Sequence, residues 1–204
     1  FAYSIDGGEV SIIDLTKEKL SEELINILID ENFIKHAYNA AFEWYCISKH
    51  LGFDETQRNK WVSQWQDTML HGLYCGYTAG LDATGKVIGL PQDKQKLATG
   101  KALINTFCKP CKPTNSNGGR TRIYPEYEPE KWELFKEYCK QDVVTETEIE
   151  KRLSCFPVSY DVQKQWVIDL VQNSRGVAID RELIDGAVYC AEHSSSGAAI
   201  EAKE

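Results

Sequence analysis

Two short clusters of polar side chains have residue types and spacings that could support catalysis. In the first, HAYNAAFEW, Asn39 and Glu43 stand where a short predicted strand gives way to a helix. Functional side chains are common where a strand opens into a helix N-terminus in an α/β sheet. The same pattern also fits a structural arrangement in which Asn39 caps the helix and Glu43 completes the cap. On the local sequence alone, capping is the favoured interpretation.

The second cluster is EYCKQD, which contains Tyr138 and Asp142. These residues are four apart in a strong helical pattern, so they share one face of the helix. A phenol next to a carboxylate can orient a metal-bound water. A surface Tyr–Asp pair on a long helix is the alternative, and for this cluster taken alone it is preferred.

The basic residues are concentrated in one stretch of an acidic chain. The net charge is −8, which argues against a general nucleic-acid binder. Residues 94–122, however, hold seven of the 23 basic residues and none of the 31 acidic ones. The seven are Lys94, Lys96, Lys101, Lys109, Lys112, Arg120 and Arg122. Such a stretch suits a surface that follows phosphates, and a solvated loop is the alternative.

Length and composition favour a globular cytoplasmic protein. The 204 residues are 42% hydrophobic and 26% charged, enough for one domain and part of another. No window is apolar enough for a transmembrane helix, and the start does not resemble a secretory signal. The seven scattered cysteines favour reduced thiols, and Cys108-x-x-Cys111 has no second pair for zinc. The sequence begins without Met, so we expect a fragment of a longer protein.

Hydrophobic periodicity and turn residues predict an α/β fold with a mixed sheet. A hairpin is predicted around Gly7-Gly8, and further extended segments at 33–38 and 61–66. The predicted helices cover residues 22–30, 40–51, 68–75, 82–89, 93–107, 129–153, 160–173 and the chain from 181 onwards. A boundary near Cys155 divides a domain of residues 1–155 from a helical segment of residues 156–204.

Other polar and aromatic residues are assigned structural roles. The tryptophans are predicted to be core residues rather than stacking platforms. The acidic run from Glu146 to Glu150 is predicted to be a solvated helix face.

The two polar clusters together resemble a known pair of motifs. The pattern N-x-x-F-E ending at Glu43, followed about a hundred residues later by Y-x-x-x-D ending at Asp142, resembles motifs two and three of a nuclease domain. That domain is the 3′–5′ (proofreading) exonuclease of family A, DNA polymerase I-like, DNA polymerases. Residues 67–70 (DTML) resemble the segment between those motifs, and residues 97–114 are similar to phage and prophage members. NSRGVAID, residues 173–180, resembles the start of the polymerase thumb.

The resemblance implies an RNase H-like mixed sheet flanked by helices and two-metal hydrolysis of the 3′-terminal phosphodiester of DNA. By position, Asp142 would bind the first Mg²⁺ or Mn²⁺, and Glu43 would support the second through water. Tyr138 would orient the attacking water, and Asn39 would hold backbone or substrate nearby. The basic stretch would follow the DNA backbone. The implied partners are a single-stranded 3′ end, a primer-template and the rest of a polymerase chain, with no membrane.

Two departures from the family pattern matter. The first motif, D-x-E on the opening strand, does not occur in a suitable strand here, and Glu43 stands where Asp is commoner. We therefore expect the first strand to be missing, the sheet to be split, and the fragment to hydrolyse DNA poorly or not at all. One alternative is a catalytically degenerate exonuclease fold that serves as a DNA-binding scaffold. The other is an RNA-trimming 3′–5′ exonuclease, against which the thumb-like segment argues.

Overall fold

The computed structural model describes residues 1–95 and 100–201, so the predicted DNA-binding residue Lys96 lies outside the described residues. The chain separates into two compact units, residues 1–164 and residues 165–204. The predicted boundary near Cys155 falls inside the first unit. The assignment of the two segments to an exonuclease domain and a thumb stays a prediction.

The chain opens with the predicted hairpin. Strand β1 (Ala2–Tyr3) pairs antiparallel with β2 (Ser11–Ile12), and the turn between them contains Gly7 with φ +71°. The amino group of Phe1 extends the pairing by donating to the carbonyl of Ile13 over 2.7 Å. The hairpin is therefore confirmed, with two residues in each strand.

A second pair of strands is parallel and separate from the hairpin. Strand β3 (Lys35–Ala37) lies alongside β4 (Trp65–Asp67), and their last residues, Ala37 and Asp67, are partners in the register. Within the described residues the two pairs form two distinct two-stranded sheets. The sheet is thus split, as we expect for a fold without its first strand, while the RNase H-like fold itself stays a prediction.

Helices make up most of the described residues. They are α1 (Glu22–Ile29), α2 (Ala40–His50), α3 (Glu55–Trp61), α4 (Thr68–Tyr74), α5 (Leu81–Val87), α6 (Gly100–Cys108), α7 (Pro129–Leu153), α8 (Tyr160–Arg175) and α9 (Arg181–Glu201). Helix α7 has the predicted bounds, because Pro129 fits the first turn of a helix, where its missing N–H has no partner to lose. The Ser21 hydroxyl caps α1 by accepting from the amide of Leu24. None of the described helices is both long enough and apolar enough to cross a bilayer.

Two predicted elements are wrong. The extended segment at 61–66 is extended only from Trp65, because Asp54 and Gln57 form a capping box that starts helix α3. The single helix at 93–107 does not form, since Gln95 is extended with ψ 157°. The side-chain amide of Gln141 on α7 donates to the carbonyls of Asp93 and Gln95. These two carbonyls therefore accept from a distant side chain instead of from amides of the predicted helix.

The core of the first unit lies against helix α7. Ile149 is fully buried and belongs to an apolar cluster with Leu81, Leu90 and Leu153. Three of the five tryptophans, Trp44, Trp61 and Trp65, are at most 3% exposed, so the prediction of core roles holds for them.

The Tyr138 ring of α7 packs directly on the backbone of Gly100, the first residue of α6. A Cβ added at Gly100 would lie 1.9 Å from Cε2 of this ring, where no atom fits. The ring of Tyr138 also stacks nearly parallel to that of Phe135, with centroids 6.1 Å apart. Glycine at position 100 is therefore what allows the phenol to occupy its place.

We expect Gly100→Ala to lower the free energy of unfolding by about 2 kcal/mol or more, because the added methyl must displace Tyr138. Urea unfolding followed by circular dichroism measures this change. Gly186→Ala on helix α9 is the matched control, since nothing lies within 4 Å of its added Cβ and alanine is the better helix former. Equal urea midpoints for Gly100→Ala and Gly186→Ala would contradict the close packing of the Tyr138 ring on Gly100.

Candidate functional site

A buried carboxylate joins the ends of the two parallel strands. Asp67, only 4% exposed, accepts hydrogen bonds at Oδ1 from the amides of Asn39 (2.9 Å) and Met69 (2.8 Å). The amides of Ala40 and Leu70 also hydrogen bond to this carboxylate. Burial raises the pKa of Asp67, and the four amides oppose that rise because they stabilise the charged form. The Asp67 side chain thus accepts hydrogen bonds from amides at the start of both α2 and α4.

The capping interpretation of Asn39 is wrong. Its side chain makes no capping hydrogen bond, and its backbone is left-handed, with φ 65° and ψ 54°. Asn tolerates this conformation better than most residues do. The backbone amide of Asn39 donates to Asp67 instead. The side chain of Asn39 is exposed and takes no part in capping the helix.

Glu43 lies in the first turn of α2 and is partly buried. Its Oε2 atom is buried and has no hydrogen-bond partner among the described residues. Burial, together with the negative charges of Asp67, Glu146 and Asp142, raises the pKa of this carboxyl to about 7. Glu43 is therefore not part of a helix cap but one member of a group of acidic residues.

Tyr138 and Asp142 supply the other side of this group from helix α7. Tyr138 is 4% exposed, so the alternative of a surface pair is wrong. Burial and a hydrogen bond to Asp142 raise the pKa of the Tyr138 phenol, which keeps it protonated and donating to that carboxylate. The start of α2 and helix α7 are hydrogen bonded to the adjacent residues Asp67 and Thr68, through the amide of Asn39 and the carboxylate of Glu146. Because the charge of Asp142 also acts on Glu43, the structure brings the two predicted clusters to the same region.

Sequence reasoning missed two further members, Asp67 and Glu146. Glu146 is 8% exposed and accepts a hydrogen bond of 2.5 Å from the hydroxyl of Thr68, so its assignment to a solvated face is wrong. Burial, together with the negative charges of Glu150 and Asp67, raises the pKa of Glu146 to about 7. The signal was present: Glu146 continues the four-residue spacing of Tyr138 and Asp142 along one helix face.

The four carboxylates Glu43, Asp67, Asp142 and Glu146 form a concentration of like charge, which we call the acidic cluster. A hard divalent cation prefers carboxylate oxygens and would relieve this repulsion. The unpartnered Oε2 of Glu43 fits such a role, whereas Asp67 and Glu146 already bind amides and a hydroxyl. Within residues 1–95 and 100–195, no three Asp, Glu, His or Cys side chains are arranged to hold a metal ion. The residues present therefore fit part of a metal site.

The predicted phosphate-binding residues are mostly at the surface. Those that are exposed are Lys101, Lys109, Lys112 and Arg122. Arg120 is half-buried, and the Nζ atom of Lys94 lies 4.0 Å from Oε1 of Glu148 on α7. The structure thus leaves four of the seven open to solvent.

We expect the chain to lose stability as the pH rises from about 5 to about 7 and then to level off. The raised pKa values of Glu43 and Glu146 mean that the folded state holds protons that the unfolded state, titrating near 4.5, has released. This stability is complete below about pH 4.5 and is lost through about pH 7. The loss is a few kcal/mol, since one pKa unit corresponds to about 1.4 kcal/mol.

Urea unfolding between pH 4.5 and pH 8 measures the effect. The double variant Glu43→Gln, Glu146→Gln is expected to flatten the profile in this range. The matched control is Glu137→Gln, whose side chain on the same helix is 64% exposed. Identical pH profiles for the wild type and the double variant would show that these carboxyls are not buried together.

The whole chain is similar to part of a DNA polymerase from Bacillus phage SP02. The two are 42% identical over 205 residues, which takes in 100% of this chain and 31% of the phage protein. The chain therefore spans about a third of the length of this relative. No protein-family model matches the chain, and no solved structure matches it.

Proposed function

We propose that the chain is a segment of a DNA polymerase and carries part of its 3′–5′ exonuclease site. The observation that carries this proposal is the proximity of Glu43 on α2 to Asp142 on α7, which lie about a hundred residues apart in sequence. The two belong to motifs whose order resembles that of the family A exonuclease. Similarity to a phage DNA polymerase along the whole chain supports the assignment to a DNA polymerase.

Two members of the acidic cluster and two neighbouring polar residues would have separate roles in hydrolysis. Two bound Mg²⁺ or Mn²⁺ ions would activate a water and stabilise the leaving 3′ oxygen. Asp142 and Glu43 would hold these ions, and the Glu43 Oε2 atom is available for this. Tyr138, whose protonated hydroxyl donates to Asp142, would position the attacking water by accepting a hydrogen bond from it at the phenol oxygen. Asn39, uncommitted to the cap, would contact the substrate beside Glu43.

We further propose an RNase H-like fold for residues 1–155 and the start of a thumb in residues 156–204. The split sheet supports the first assignment, because a missing central strand leaves its neighbours without a shared partner. The helices α8 and α9 support the second.

A degenerate exonuclease fold that only positions DNA is the second candidate function. It is favoured by the absence of a three-ligand metal group within the described ranges 1–95 and 100–195. The sequence also has no D-x-E motif in a suitable strand. The exonuclease activity of an intact polymerase that contains this chain distinguishes the two candidate functions. A scaffold would leave that polymerase without exonuclease activity.

We expect the isolated chain to leave a 3′-labelled single strand undegraded in Mg²⁺, because it carries only part of the carboxylate set. In an intact polymerase that includes this chain, removal of a mispaired 3′ nucleotide should fall at least about 100-fold in Glu43→Ala or Asp142→Ala. Primer extension by the same variants should be retained. Gel analysis of labelled primers measures both reactions.

The matched control is Glu137→Ala, on the same helix as Asp142 and 64% exposed at its side chain. It should retain both reactions at the wild-type rate. Full exonuclease rates in Glu43→Ala and Asp142→Ala would overturn the proposed site, and an intact polymerase without any exonuclease activity would support the scaffold.

A further inference from the structure

The segment of residues 109–127, which we call the basic loop, has a fixed shape without regular strands. The Asn117 side chain accepts at Oδ1 from the amides of Thr114 (2.9 Å) and Arg120 (3.1 Å). Its Nδ2 donates to the carbonyl of Lys112 over 2.8 Å. The amide of Cys111 closes the loop by donating to the carbonyl of Thr121 over 2.8 Å. One side-chain amide thus fixes the loop from within, so a ligand would meet a preformed surface.

Positive charge dominates the basic loop up to its last three residues. Lys109, Lys112 and Arg122 are exposed, and the sequence has no acidic residue from Lys94 until Glu126. Exposed cations that are grouped in this way attract a polyanion and release its counterions. This charge fits a chain of phosphates.

Two half-exposed aromatic rings follow these cations in the sequence, and one of them contacts Arg120. Tyr124 is 51% exposed and Tyr127 is 48% exposed, and their ring centroids are 6.3 Å apart. The Arg120 guanidinium lies 3.8 Å from the centroid of the Tyr127 ring, in a cation–π contact. Its Nε donates to the carbonyl of Asn117 over 2.6 Å, so the guanidinium is held in place by the loop itself. Phenol rings and a guanidinium plane are the groups on which unstacked bases bind.

We propose that the basic loop is a binding site for single-stranded DNA, with two successive bases stacked on Tyr124 and Tyr127. The phosphates of the strand would contact Lys109, Lys112 and Arg122. A single strand is the fitting ligand, because base faces are free for stacking only outside a duplex. The inference rests on the proposed function, to which it adds a place where the strand leading to the exonuclease site is held.

The test compares two fluorescent oligonucleotides of equal length, oligo(dT) and an abasic strand with the same phosphates, by anisotropy with the 204-residue chain. We expect the double variant Tyr124→Ala, Tyr127→Ala to bind oligo(dT) at least about 10-fold more weakly, since each stacked base contributes about 5-fold or more. The abasic strand should bind the variant and the wild type within about 2-fold. Tyr124→Phe, Tyr127→Phe keeps both rings and should bind oligo(dT) like the wild type.

Two matched controls separate stacking and charge from general effects. Tyr160→Ala removes a tyrosine that is 78% exposed outside the loop and should change neither affinity. The triple variant Lys109→Ala, Lys112→Ala, Arg122→Ala should weaken both oligonucleotides and lower the slope of log K against log salt by about 2. Alanine at Lys17, Lys86 and Lys131, whose side chains are 66%, 58% and 51% exposed, should leave that slope within about half a unit of wild type.

Equal binding of oligo(dT) by the wild type and the alanine variant would overturn the stacking site, as would equal wild-type affinities for oligo(dT) and the abasic strand. Binding of oligo(U) as tight as that of oligo(dT) would overturn the assignment to DNA. None of these outcomes changes the result of the exonuclease assay on the Glu43 and Asp142 variants. The binding site in the basic loop and the proposed exonuclease site can therefore be disproved independently.

Discussion

The buried carboxylate of Asp67 is the interaction on which the candidate site depends. It lies at the end of β4, next to the end of β3, and accepts from the first amides of the two helices that follow these strands. A backbone amide left without a partner in a buried position costs about 1–3 kcal/mol, so one carboxylate that accepts from several amides stabilises both helix starts. By holding the amide of Asn39, Asp67 also stabilises a left-handed turn that sets the direction of α2. The position of Glu43 follows from that direction, since it lies in the first turn of the helix.

Helix α7 completes the site at an electrostatic cost. Asp142 and Glu146 stand one turn apart on the face that meets Glu43 and Asp67. Burial first, and the neighbouring negative charges second, raise the pKa values of Glu43 and Glu146 to about 7. A fold selected for stability alone has no need to bury so many carboxylates together. Strongly shifted acids of this kind cluster at functional sites, where a cation or a substrate later compensates the charge. The same helix positions the phenol of Tyr138 through its packing on Gly100.

The sequence predicts most elements but not the partners of their polar groups. Helix α7 is predictable, because Pro129 and a long periodic pattern define it locally. The cap at Asn39 is not, since the acceptor is Asp67, which lies 28 residues away in the chain. Glu146 was misassigned for the same reason: its burial depends on Thr68 of a different helix. The local patterns favour a helix-capping role for Glu43 and a surface pair for Asp142. Only the order of the two motifs indicates that these residues share a site.

The most direct test of this account is the titration of the Glu43 side-chain carboxyl, followed by carbon-13 NMR of the labelled chain. The account predicts a pKa of about 7 for Glu43. It also predicts that Asp142→Asn lowers this pKa, because a neighbouring negative charge is removed, whereas the exposed Glu137→Gln leaves it unchanged. A Glu43 carboxyl that titrates near 4.5 and does not respond to Asp142→Asn would contradict the claim that helices α2 and α7 share one acidic site.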